Sequence, residues 1–147
     1  EGRQSRDITQ FQKMLGTPLY MSPERIRNPG DADTRSDIYS IGAVGFNLLT
    51  GREVFETEGE HDLVYHVLHT APRRVSELAP GVPKRLDDLI ARCLAKDRAD
   101  RPHDIVVVMA LLEALAVEYP WTQRDAESWW RAQRERQPVP PVVAANT

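Results

Sequence analysis

Thr34-Arg35-Ser36-Asp37-Ile38-Tyr39-Ser40-Ile41-Gly42-Ala43-Val44-Gly45-Phe46-Asn47-Leu48-Leu49-Thr50-Gly51 is the stretch whose reading decides the fold. From Ile38 to Leu49 only Ser40 and Asn47 interrupt the apolar run, so no solvent-facing stripe can be drawn on a helical wheel. A helix apolar on every side is a buried helix. It is too short to span a bilayer, which takes about 20 mostly apolar residues, so protein must surround it. Asp37 stands where an N-cap or first-turn acid belongs and Gly51 where a stop belongs, which predicts a helix over about 37–50.

The rest of the composition is that of an ordinary folded domain. The chain has 147 residues, 41% hydrophobic and 28% charged, with a net charge of -3. That balance gives no basic footprint for nucleic acid, and Arg73-Arg74 and Lys84-Arg85 are pairs rather than runs. A single cysteine, Cys93, excludes an internal disulfide and fits a reducing, cytoplasmic setting. No membrane segment or signal peptide is legible. The chain opens on Glu1, and its first methionine, Met14, lies inside a continuous pattern, so a piece of a longer protein is expected.

Outward from the central stretch, residues 1–15 are polar and without period, an expected loop. Gly16 to Glu24 (GTPLYMSPE) carries a glycine and two prolines and is neither regular helix nor central strand. Glu24-Arg25-Ile26 is read as one turn before the turn formers Asn28-Pro29-Gly30-Asp31. Phe55 sits in the connection after the central helix. Leu63, Val64, Val67 and Leu68 predict a short helix over 62–70. Leu86, Leu89, Ile90, Cys93 and Leu94 share one helix face, which makes Cys93 a core residue.

Later segments follow the same logic. Pro102 is expected in the first turn of a helix on which Ile105, Val108, Met109, Leu112, Leu115, Ala116 and Tyr119 keep a 3.6 period. Thr122 to about Arg136 reads as a helix with Thr122 as N-cap, Asp125 three residues on, and Trp121, Trp129, Trp130 and Ala126 on its apolar side. Two readings of that side stand: docking onto the domain's own surface, or a partner site. Residues 137–147 are proline-rich. His61, His66 and His69 near Asp62 lack metal-site spacing and predict no metal site.

Three motifs in fixed order carry the reading further. Gly16-Thr17-Pro18-Leu19-Tyr20-Met21-Ser22-Pro23-Glu24, then Ser36-Asp37-Ile38-Tyr39-Ser40-Ile41-Gly42, then Asp100-Arg101-Pro102, together resemble the C-terminal lobe of a eukaryotic-type protein kinase, in the variant of the bacterial serine/threonine kinases. The resemblance covers residues 1 to about 117. It implies a mainly α fold, a helical lobe around the helix at about 37–50, with the N-terminal lobe and catalytic loop absent from this chain. It also implies an order: activation segment and docking loop over 1–24, helical core over 25–119, an accessory tryptophan helix over 120–136, and a proline-rich tail over 137–147.

The residue roles are likewise what the resemblance implies. Gly16, Thr17, Pro18, Leu19 and Tyr20 match the substrate-docking loop, with Thr17 supporting a catalytic aspartate that this chain does not contain and favouring serine or threonine substrates. Glu24 would pair with Arg101. Asp37 would cap the central helix and anchor the catalytic loop. Ser5, Thr9 and Thr17 are candidate phosphorylation sites. Ser22 replaces the usual alanine, Arg98 a frequent proline, and Glu53-Val54 precede Phe55 where prolines are common.

Phosphoryl transfer in this family needs a glycine-rich loop, a lysine paired to a helix glutamate, H-R-D and D-F-G. None occurs here. ATP and Mg2+ are therefore expected for a full-length parent, acting on protein Ser/Thr hydroxyls, and not for this chain alone. The expected partners are protein substrates and the missing N-terminal part of the same kinase. The elements that would flank the central helix lie ahead of Glu1 in this reading, so their contact face should be uncovered. The alternative is a non-catalytic helical interaction or scaffold module derived from a kinase.

Overall fold

The structure is a computed structural model that describes residues 18–136. Among the described residues there is no strand. Seven α-helices follow in order: α1 Pro23–Arg27, α2 Thr34–Thr50, α3 Glu60–His69, α4 Val75–Leu78, α5 Lys84–Cys93, α6 Ile105–Glu118 and α7 Gln123–Arg136. Three short 3-10 turns lie at Pro18–Tyr20, Pro29–Asp31 and Arg98–Asp100. The chain divides into two compact units, one through Glu113 and one from Ala114 onward.

The central helix begins three residues earlier than the sequence suggested. Asp33 caps it, accepting from the Arg35 amide at 2.8 Å, and Asp37 lies in the first turn. Two aspartates four residues apart both suit a helix start, and only the extended backbone of Asp33 decides between them. Its end is as expected: Gly51 takes φ of 70°, and its amide returns to the Asn47 carbonyl at 2.8 Å.

Burial divides α2 into faces. Tyr39, Ala43 and Phe46 enter the main core with Val67 of α3, Val75 of α4 and Ile90 of α5. Ile38 turns to a second cluster with Leu89, Cys93 and Val108. Ile41, Val44 and Leu48 form a third stripe at helical spacing that is 41%, 44% and 79% exposed, so the helix is not walled in on every side. Apolarity all round states what a helix tolerates and leaves open which faces have neighbours.

The approach of α5 to α2 is set by two glycines. A Cβ on Gly42 would stand 2.6 Å from the Cys93 Cβ, and one on Gly45 would stand 2.7 Å from Cδ1 of Ile90. Cys93 is accordingly a core residue, and burial pushes its thiol up to about 11.

A charged lock that the sequence did not suggest joins α4 to α5. Asp87, 4% exposed, accepts from Arg74 Nη2 at 2.8 Å and from the Ser76 amide at 3.2 Å. Arg74 also reaches Asp88, which Lys84 holds at 2.6 Å. Two other expectations shift: α6 starts at Ile105, with Asp104 accepting from the Val106 amide at 2.9 Å, so buried Pro102 precedes the helix rather than opening it. On α6, Val108 is buried while Ile105, Met109 and Leu112 are exposed, so the apolar period names a face that the structure largely leaves bare.

In the second unit, Thr122 and Asp125 form the expected reciprocal cap, the Thr122 amide donating to Asp125 at 2.8 Å and the Asp125 amide to Thr122 Oγ1 at 3.2 Å. The rings of Trp129 and Trp130 are exposed and meet edge to face with centroids 4.8 Å apart.

Gly42→Ala should lower unfolding stability by about 1–3 kcal/mol, because both helix backbones resist the added methyl. Gly45→Ala, which meets only the tip of a flexible isoleucine, should cost less. Urea melts of the two variants measure the order, and equal losses would refute the glycine-set helix spacing.

Candidate functional site

The segment entering from Pro18 is held by four consecutive residues, Met21 to Glu24. Met21, Ser22 and Pro23 are buried. Ser22 caps α1 and Pro23 occupies its first turn, a sequence choice that starts a helix where the chain must bend. That places the Glu24 carboxylate inward, where Arg101 meets it from 77 residues away.

The contact is a two-pronged ion pair. Arg101 Nη1 donates to Glu24 Oε1 at 2.7 Å and Nη2 to Oε2 at 2.8 Å. The arginine side chain is 0% exposed. Its remaining N–H groups are all used: Nε on the Ala95 carbonyl at 2.8 Å, Nη1 on Arg35 at 2.9 Å and Nη2 on Lys96 at 3.2 Å. Five donors therefore have five acceptors, the condition under which a buried guanidinium is tolerable. The guanidinium also lies 5.1 Å from the Tyr39 ring centroid.

Burial raises the Glu24 carboxyl, but hydrogen bonds from Arg101 and from Ser36 Oγ, the latter at 2.6 Å, outweigh it and lower the group to about 2. No bonding role was expected of Ser36, nor of Ser40, whose hydroxyl donates to the Tyr20 carbonyl at 2.8 Å. Their signal was present: two hydroxyls one turn apart on an otherwise apolar helix, both facing the segment 20–24. Arg25 of α1 adds an ion pair to Asp37 at 3.3 Å.

The sequence-predicted residues fall as follows. Leu19 and Tyr20 pack partly buried against the main core, and Pro18 lies in the same 3-10 turn. Gly16, Thr17, Thr9 and Ser5 lie outside the described residues. Asp37 is exposed, with its side chain 66% accessible and Arg25 as its partner; the cap role passes to Asp33. His66 Nδ1 lies 2.8 Å from Thr70 Oγ1, and its ring stacks on the buried Phe55 at 5.9 Å. Among the described residues no three His, Cys, Asp or Glu converge to hold a metal.

The structure also brings in Lys96. Its ammonium donates to the His66 and Val67 carbonyls at 3.0 and 2.6 Å, closing the last turn of α3, and stands 4.4 Å from the Phe55 ring centroid. No single helix among the described residues is long and apolar enough to cross a membrane.

The helical core around one strut, with its buried Glu24–Arg101 tie, defines a kinase C-terminal-lobe architecture, and comparison with known proteins agrees. The protein kinase domain family matches residues 2–119, and the chain belongs to that family. It is 40% identical over 111 residues to the serine/threonine-protein kinase PknL of Mycobacterium tuberculosis, covering 76% of this chain and 28% of that protein. It is 34% identical over 133 residues to the DNA damage-responsive serine/threonine-protein kinase RqkA of Deinococcus radiodurans, covering 90% and 20%. Serine/threonine-protein kinase Pkn1 of Myxococcus xanthus is 38% identical over 130 residues, covering 87% and 18%. The chain thus spans less than a third of the length of these relatives.

Replacing Arg101 with methionine should strand the Glu24 charge and cost about 3–5 kcal/mol in a denaturant melt. The acid limb gives a second check. Glu24 titrates near 4.5 when unfolded and near 2 when folded, so its contribution is complete above pH 4.5 and is lost as pH falls toward 2. Glu24→Gln should flatten the stability profile in that window, and an unchanged acid limb would contradict the tie.

Proposed function

We propose that this chain is the C-terminal-lobe part of a protein serine/threonine kinase, carrying the activation and substrate-docking segment for ATP-dependent phosphorylation of protein hydroxyls. The single observation that carries the reading is the grip on residues 20–25: Ser40 on Tyr20, Ser36 and Arg101 on Glu24, Asp37 on Arg25. A segment that must present a substrate beside a catalytic centre needs a rigid base, because small misplacement of reacting groups costs rate steeply. In this reading residues 1–24 are the activation segment and docking loop, 25–119 the core, 120–136 an accessory helix and 137–147 a proline-rich tail. Thr17 would support the catalytic aspartate of the complete enzyme, Asp37 would face its catalytic loop, and Ser5, Thr9 and Thr17 would be available for phosphorylation.

The sequence carries no H-R-D, no D-F-G and no G-x-G-x-x-G, so in this reading the chemistry belongs to the complete kinase with ATP and Mg2+. Its own residues bind and orient. The bare stripe Ile41, Val44 and Leu48 is where the flanking elements of the complete lobe would pack. A second reading, a non-catalytic docking module, is favoured by the exposed Trp129 and Trp130 pair on α7.

The test is a chimera joining the matching upstream part of a relative such as PknL to this chain. The fusion should transfer phosphate from ATP to a serine/threonine protein, Thr17→Ala should lower the rate by about 100-fold, and the chain alone should transfer none. A folded, ATP-binding fusion without transferase activity would favour the docking module. The chain alone should also enhance the fluorescence of a hydrophobic dye, and joining the upstream part should suppress that signal; a dye-silent, cooperatively melting chain would refute the uncovered stripe.

A further inference from the structure

A groove of about 450 Å³ opens beside the Glu24–Arg101 tie, lined by Glu24, Arg27, Asp31, Lys96, Asp97 and Arg98. Three cations and three acids line it, but their circumstances differ. Glu24 is committed to Arg101 and Ser36, and the Asp97 carboxylate accepts from the Ala99 amide at 2.8 Å. The acids do not converge into a cation site. On the basic side, Arg98 uses one N–H on the Asp31 carbonyl at 2.8 Å and lies 3.5 Å from Asp33. Neither Arg27 nor Lys96 has a carboxylate partner among the described residues, and Arg27 is exposed with its guanidinium fork unused.

Lys96 is the unusual member. It is a half-buried ammonium whose two hydrogen bonds go to backbone carbonyls. Burial, with the positive charges of Arg101 and Arg27 acting in the same direction, lowers it to about 8. Arg27 and Lys96 line the same groove, and neither is paired with one of its three acids.

We propose that this groove binds a phosphomonoester dianion, held by the open fork of Arg27 and the Lys96 ammonium, with Arg98 also in its lining. A dianion with three acceptor oxygens matches a free arginine fork and a lysine donor better than a single carboxylate does. Asp31 and Asp97 in the lining, and the net charge of -3, disfavour an extended polyanion such as nucleic acid. Because the Lys96 carbonyl accepts from Arg101, an anion here would sit one peptide unit from the tie that holds the docking segment. The phosphate has two sources to separate, a phosphorylated side chain of a protein or a small phosphate compound.

Calorimetric titration of the full 147-residue chain with inorganic phosphate, at ionic strength fixed with chloride, tests the site. Saturable binding is expected, weakened about tenfold or more in Arg27→Gln and in Lys96→Gln. Arg27→Gln is the primary variant because its side chain makes no bond that folding needs. Arg124→Gln, which removes the same charge from the other unit, should bind as the parent does. Absence of saturable binding, binding unchanged by Arg27→Gln, or equal loss in Arg124→Gln would each overturn the proposal. A peptide of residues 4–14 phosphorylated on Thr9, run beside its unphosphorylated form, separates the sources. Tighter binding than inorganic phosphate assigns a phosphorylated side chain, and binding no tighter assigns a small phosphate compound, the site standing in both cases.

Discussion

The rest of the first unit depends on one buried guanidinium. Removing an arginine from water costs several kcal/mol, and the attraction of one carboxylate does not by itself return that. Arg101 is stable where it is because its five N–H groups meet Glu24 and the carbonyls of Arg35, Ala95 and Lys96. The acceptors come from three stretches, so satisfying the arginine requires α1, the start of α2 and the loop after α5 to be in place together. An apolar cluster of equal volume would hold those stretches as strongly and orient them less, because dispersion forces have no preferred direction.

Lys96 extends the same principle five residues away. Its carbonyl serves Arg101 while its ammonium closes α3 and lies on Phe55, so the loop 95–101 ties the segment at Glu24 and the α3 end into one polar seam. The seam runs beside an apolar core to which Tyr39, Phe46 and Val67 contribute. Hydrophobic burial holds the helices together, and the seam decides how they are presented.

Much of this was legible in the residues. The central helix, the amphipathic face of α5, the core position of Cys93 and the Thr122 cap all follow from local periodicity and capping chemistry, which act over a few residues and leave a local trace. The Glu24–Arg101 pair came from motif order rather than spacing, since no local rule joins residues 77 apart. What escaped had a physical cause in each case. Asp33 and Asp37 are equivalent as caps until the backbone chooses. The bare sides of α2 and α6 escaped because uniform apolarity carries no phase. The helix α4 escaped because Arg74, an unusual residue to precede a helix, stands at its start, where its amide is held by Glu77 at 3.0 Å. Ser36, Ser40 and Lys96 act through distant carbonyls and carboxylates, which a sequence window does not contain.

The two serines of α2 also solve a problem of rotation. A helix greasy on every side can be turned about its own axis with little change in buried area, so hydrophobic energy alone leaves its angular setting almost free. Ser36 and Ser40, one turn apart, both bond to residues 20–24, and turning the helix by one residue, about 100 degrees, would take both from their acceptors. They work as keyway marks on a shaft: two small polar groups fix the azimuth from one side, as Gly42 and Gly45 do where α5 approaches from another.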